Sequence, residues 1–186
     1  MSSGSRCFWG VLLSLVCGPL SAFAQSGSSS GVSSFLYEIR GGVLAHDLHF
    51  VAASHVEQGV SLNAEAAFAP SLPILGGVLR PVLGGTFTTS GGTSWGYLDA
   101  RWEYSGSLFF FGIGLGAAIH DAPLGFDQNG QKALGARVLF HIPLEVGLQV
   151  TPQNRISAYF EHSSNAYTAS PNPGMDNLGI RLAHRF

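Results

Sequence analysis

From Ala136 to Thr151 the chain alternates without a break. Val138, Phe140, Ile142, Leu144, Val146, Leu148 and Val150 take one parity, and Arg137, His141, Glu145 and Gln149 fall on the other. Side chains alternate faces in a strand and return every 3.6 residues in a helix, so this pattern specifies β-structure with one apolar face. The same period recurs elsewhere. Between 94 and 104, Leu98, Ala100, Trp102 and Tyr104 alternate with Asp99, Arg101 and Glu103; between 108 and 119, Phe109, Phe111, Ile113, Leu115 and Ile119 alternate with Gly112, Gly114 and Gly116. Weaker segments at 35–45, 58–69, 78–88, 154–164 and 176–186 bring the expected total to eight strands. Turn sequences such as Ser90-Gly91-Gly92, Tyr104-Ser105-Gly106 and Asp127-Gln128-Asn129-Gly130 fall between them.

The first 24 residues read differently. Arg6 precedes an apolar run from Phe8 to Val16, then Gly18-Pro19, and Ala22-Phe23-Ala24 stands before Gln25. This is the architecture of a secretory signal peptide cut after Ala24, and the run is too short to span a bilayer as a helix. Cys7 and Cys17 both lie in the removed part, so no disulfide is expected in the mature chain. The residues before Cys17 make a poor lipoprotein signal. Residues 25–186 are then a single domain, beginning with a small polar lead to Val32 and large enough to bury a core.

Whether the apolar faces point inward or outward is decided by composition. Only 11% of residues are charged, against roughly 25% in an average soluble domain. No segment after Ala24 offers the ~20 apolar residues of a spanning helix, so a closed barrel is the remaining way to cross a bilayer with every backbone group paired. The polar parity carries Glu38, Arg40, Glu65, Arg80, Asp99, Arg101, Glu103, Arg137, Glu145, Arg155, Glu161 and Arg181. Their mixed sign suits a narrow lumen filled by paired side chains. Trp95, Tyr97, Trp102, Tyr104 and Tyr159 are expected near strand ends, as interfacial girdles. The expected fold is all-β, an eight-stranded antiparallel transmembrane β-barrel in a bacterial outer membrane. A periplasmic lipocalin-like barrel is the soluble alternative. A net charge of -2 without a basic cluster argues against nucleic-acid binding.

One segment carries chemistry. In 155–164, Ile156, Ala158, Phe160, His162 and Ser164 share the outward parity, and Asp176 shares the parity of Leu178, Ile180 and Leu182. Same-face neighbours two apart on a strand lie roughly 6.6 to 7 Å apart at Cα, a gap that an imidazole and a hydroxyl bridge. With both chain ends in the periplasm, the 165–175 connection is extracellular, and His162, Ser164 and Asp176 lie at the outer rim. A serine needs an adjacent base, and the base needs a carboxylate to fix its tautomer. Ser164, His162 and Asp176 fit those roles, with Asn165 and Ala166 the nearest donors for an oxyanion. The competing reading makes them interfacial polar residues of a non-catalytic barrel serving envelope integrity or adhesion. His46, His49 and His55 lack the partners and spacing of a metal site, and no metal is expected. His120, His141 and His184 look isolated, and Glu161 is expected to pair with a luminal arginine.

The run from Tyr159 to Phe186 contains His162-Ser163-Ser164-Asn165-Ala166, then Asn172-Pro173-Gly174, then Asp176, and ends on an aromatic. It closely resembles the C-terminal signature of the outer-membrane lipid A 3-O-deacylase family. The resemblance implies Ser164 as nucleophile, His162 as base, Asp176 as acid member and Asn165 beside the oxyanion. It also implies hydrolysis of the acyl ester at the 3-position of lipid A in the outer leaflet, with lipopolysaccharide as substrate and no cofactor. An outward site is open to cover by a second barrel, so a homodimer is one expected assembly. Two positions depart from the pattern: Asp176 stands where the best-known member has Glu, and Tyr167 stands where Gly often follows the motif.

Overall fold

The computed structural model describes residues 35–186; the expected signal peptide and the polar lead lie outside the described residues. Nine strands follow in order: β1 Leu36–Leu48, β2 Val60–Phe68, β3 Leu72–Ile74, β4 Gly77–Thr88, β5 Trp95–Ser105, β6 Phe109–His120, β7 Val138–Gln149, β8 Asn154–Ser164 and β9 Met175–Arg185. Every pairing is antiparallel between chain neighbours, except that β2 pairs β4 and β9 pairs β1, which closes an eight-stranded barrel. The eight long strands are those marked by the alternation.

The ninth, β3, was not expected. It is a three-residue hairpin with the start of β4, turning at Leu75 (φ 51°) and Gly76 (φ 73°). Two successive positive φ values make the tight turn whose twist matches that of the strands it joins. Its proline, Pro73, has no N–H to give a ladder, which suits an edge strand outside the barrel.

The barrel is apolar on the outside. Val43, Leu83, Leu98, Leu115, Val146, Ile180 and Leu182 are each more than half exposed. In water such a continuous band would be a severe liability; facing hydrocarbon it is the solvent match that a transmembrane barrel requires. No helix among the described residues is long and apolar enough to span a membrane. The crossing is made by strands.

The inside is ionic. Arg181 bridges Glu65 (2.7 Å) and Glu145 (2.5 Å), Arg155 bridges Glu38 (3.0 Å) and Glu103 (2.5 Å), and Arg101 bonds Glu65 (2.8 Å) and Asp99 (3.1 Å). Arg40 sits among Glu38, Glu65, Glu103 and Glu145. These side chains are almost wholly buried, so each charge depends on its partners to offset its desolvation. Glycine makes room where the packing is tightest: a Cβ at Gly116 would lie 2.0 Å from Asp99 Oδ1.

Several sequence expectations change here. Trp95, Tyr97 and Tyr159 are not girdle residues; they face inward with at most 3% exposure, and the Arg181 guanidinium lies 3.5 Å from the Tyr159 ring centre. The girdle expectation overlooked their parity, which is that of Asp99 and Glu161. Trp102 and Tyr104 do face outward. His141 is not isolated: it bonds Asp99 (2.9 Å) and Glu161 (3.1 Å) and stacks on Tyr97. Glu161 is luminal, yet it meets this histidine and the side chains of Thr86, Tyr159 and Asn177 in place of an arginine. Arg137 leaves the luminal set and donates to the carbonyls of His120 and Ala122 at the rim.

The connections are asymmetric. Residues 49–59, 89–94, 121–137 and 165–174 join strands at one rim, while the opposite rim has the short turns 106–108 and 150–153 and the β3 hairpin. In outer-membrane barrels the long loops face the cell exterior.

Candidate active site

At the long-loop rim, β8 and β9 place His162 directly opposite Asp176 in the ladder. Opposed Cβ atoms lie about 4.5 to 5.5 Å apart, which lets a short Asp side chain reach an imidazole. His162 Nδ1 lies 2.6 Å from Asp176 Oδ1, and His162 Nε2 lies 3.0 Å from Ser164 Oγ. A carboxylate only accepts, so the proton sits on Nδ1, and Nε2 is left to accept from the hydroxyl. The reach of Asp176 does not depend on a longer acid.

The other carboxylate oxygen of Asp176 is held by backbone. The chain leaves β1 through an irregularity between Ala45 and Leu48, then folds back over β9. There Phe50, Val51 and Ala52 donate N–H groups to Asp176 Oδ2 at 3.0, 2.5 and 2.8 Å. Asp176 has outward parity but is fully buried beneath this loop. Four donors hold the carboxylate in the orientation that meets His162.

The 165–174 loop completes the surroundings. The two amide protons of Asn165 are committed, to the carbonyls of Leu134 (2.9 Å) and Pro171 (2.8 Å), and its backbone N–H donates to Asn172 Oδ1 (3.0 Å). Asn165 therefore braces the loop. Ala166 and Tyr167 follow with φ of 50° and 62°, a left-handed pair that turns the chain sharply away from Ser164. His162, Ser164, Ala166, Tyr167, Asn172, Pro173, Gly174, Val51 and Ala53 line a cleft of about 160 Å³. Gly174 has φ 68°, and a Cβ there would lie 2.9 Å from His162 Cε1. A glycine is needed at that position both for the backbone and for the imidazole.

The rim holds a second constellation of the same residue types, and it shows what separates a site from a clasp. His46 Nε2 donates to Glu57 (2.7 Å) while its Nδ1 accepts from Ser61 (2.9 Å). All three side chains are within 2% of complete burial, so no substrate carbonyl reaches Ser61. Glu57 also accepts the N–H of Thr93 (2.5 Å), the Thr93 hydroxyl (2.6 Å) and the N–H of Lys132 (2.8 Å). Burial pushes this carboxyl up, but the hydrogen bonds from His46, Thr93 and Lys132 outweigh it and hold Glu57 below the ordinary carboxylate value. The result is a knot joining three loops. His55 hydrogen-bonds the Asp47 carbonyl and His49 is exposed, so the three early histidines do not converge. Among the described residues no group of His, Cys, Asp or Glu is arranged to hold a metal.

The sequence did not reveal the amides of Phe50, Val51 and Ala52, nor the place of Asn172 on the cleft wall. Backbone donors carry no residue signature, and Asn172-Pro173-Gly174 reads as a turn alone.

Fold and site together define an integral-membrane β-barrel with a hydrogen-bonded Ser164–His162–Asp176 array at its long-loop rim. The sequence model of the lipid A 3-O-deacylase (PagL) family matches residues 73–185, which include all three relay residues. The chain belongs to this family. The lipid A deacylase PagL of Bordetella bronchiseptica is 30% identical over 86 residues, 46% of this chain and 46% of that protein, so the match spans about half of either length. Among solved structures, the crystal structure of the outer membrane enzyme PagL superposes with a TM-score of 0.59 at 18% identity, covering 80% of this chain and 99% of that one. Neisserial surface protein A gives 0.51 at 12% identity, covering 84% and 100% respectively. These two likenesses concern the fold.

Proposed function

We propose that the protein is a lipid A 3-O-deacylase, a serine esterase that works at the outer leaflet of the outer membrane on lipopolysaccharide. The observation that carries this is the unbroken hydrogen-bonded array from Asp176 through His162 to Ser164, opening on a cleft at the long-loop rim. Family membership supports the substrate class, since the family is described as lipid A 3-O-deacylases.

In this reading Ser164 Oγ attacks the carbonyl carbon of the ester at the 3-position while His162 Nε2 takes its proton. The imidazolium is stabilised by Asp176, which stays ionised. The oxyanion forms beside the 165–174 loop. Because the donors of Asn165 are committed elsewhere, the Ala166 N–H and the Asn172 amide on the cleft wall are assigned to it. Collapse returns the proton from His162 to the sugar oxygen, and water then hydrolyses the acyl-enzyme by the same base, releasing a 3-hydroxy fatty acid. No step calls for a cofactor.

Labelling with a fluorophosphonate tests the nucleophile. The folded protein in detergent micelles is expected to label at Ser164 and nowhere else, with no label on Ser164→Ala. Labelling at Ser61, or none on the folded wild type, would contradict the assignment.

A further inference from the structure

Lys132 is the only lysine in the chain, and it is 1% exposed, inside the loop cap. Lysine is among the residues least often buried, and an interior ammonium is tolerated only with full hydrogen bonding and a matched charge. Lys132 has both. Its ammonium pairs with Asp47 and donates to the carbonyls of Ser54 (2.6 Å) and Gly174 (2.9 Å). Those three acceptors come from the end of β1, the 49–59 loop and the 165–174 loop.

Each acceptor leads to the relay. Asp47 also accepts the N–H groups of Val56 (2.8 Å) and Glu57 (2.9 Å), which closes the turn that presents Phe50, Val51 and Ala52 to Asp176. Ser54 follows Ala53, whose N–H bonds Pro173 (2.6 Å). Gly174 packs on the edge of the His162 ring, two residues before Asp176. One buried charge thus grips the loop that seats the acid from above and the backbone that backs the base from the side.

Resting on the esterase reading for its consequence in turnover, we infer that Lys132 is a positioning residue for the His162–Asp176 pair. It makes no contact with Ser164 and meets the cleft only from behind, through the Gly174 carbonyl, and it acts by keeping the three amides on Asp176 and Gly174 against the imidazole. Its loss lowers turnover far more than substrate capture, because Tyr167 and Asn172 on the cleft wall receive none of its hydrogen bonds.

The test uses the full chain refolded in detergent, with the folded fraction read from heat-modifiable gel mobility. In Lys132→Met, kcat on lipopolysaccharide is expected to fall on the order of tenfold to a hundredfold, as misplaced reacting groups do, with KM within about twofold. In Lys132→Ala, added methylammonium is expected to restore part of kcat. A proton NMR reading is independent of activity: the Nδ1 proton of His162, assigned by its loss in His162→Ala, is expected to shift or broaden in folded Lys132→Met. An inactive wild type would sink the esterase reading while the NMR change still supports the positioning role. A folded Lys132→Met with the wild-type resonance and kcat would overturn it, as would a loss confined to KM with the resonance unmoved.

Discussion

At the scale of single residues, the relay rests on two distances, 2.6 Å from Asp176 to His162 and 3.0 Å from His162 to Ser164. Ser164→Ala is expected to abolish ester hydrolysis in a folded barrel. Asp176→Asn is expected to cost on the order of 10³ to 10⁴-fold in kcat, because an amide no longer fixes the imidazole tautomer; steady-state kinetics on micellar lipopolysaccharide reads both. Tyr167 presents a separate case. Its φ of 62° is costly for a bulky side chain, and it is largely exposed, with little packing to offset that cost. Tyr167→Gly is therefore expected to raise stability by roughly 1 kcal/mol in urea unfolding from micelles. The outward direction of His162 and Ser164 was legible from parity alone, since each residue on a strand fixes the face of the next. Whether an aspartate reaches the base was not legible, because it depends on a ladder register between two strands.

At the scale of elements, the strands were written locally and the loops were not. Alternation is a property of neighbouring residues, so β5, β6 and β7 could be read directly and the other long strands more weakly. Asp176 is held by residues 124 to 126 positions away in sequence, and no local pattern announces such a contact. The loops also carry a pH response. Because the Glu57 carboxyl is held below its ordinary value, it contributes stability that is full above the unfolded value near 4.5 and is lost as pH falls through the lower folded value. Acidification below about 4.5 is thus expected to loosen the 49–59 and 89–94 loops. Limited proteolysis against pH reads this, and Glu57→Gln should cleave readily at neutral pH with less further change on acidification. Gly174→Ala belongs to the same scale. Its Cβ would meet both an unfavourable φ and His162 Cε1, so activity should fall more than tenfold while the barrel still folds.

At the scale of the whole molecule, the apolar exterior and ionic interior invert the usual globular arrangement and leave the relay on the outside wall. The barrel core stands on groups such as Glu65, shared by Arg101 and Arg181. Glu65→Ala removes one of the two carboxylate partners described for each of those guanidiniums and is expected to destabilise the barrel by about 3 kcal/mol, read as a lower unfolding midpoint in urea. That the lumen would be filled by paired charges followed from composition and parity. Which charge meets which did not, because every partner there comes from across the barrel. The central claim concerns what the relay does to a lipid. It is tested most directly by the mass of lipid A from Gram-negative cells producing the folded protein or its Ser164→Ala variant. The expected result is loss of one 3-hydroxyacyl chain with the wild type and an unchanged mass with the variant; the full acyl complement in both, with folded wild type in the outer membrane, would contradict it.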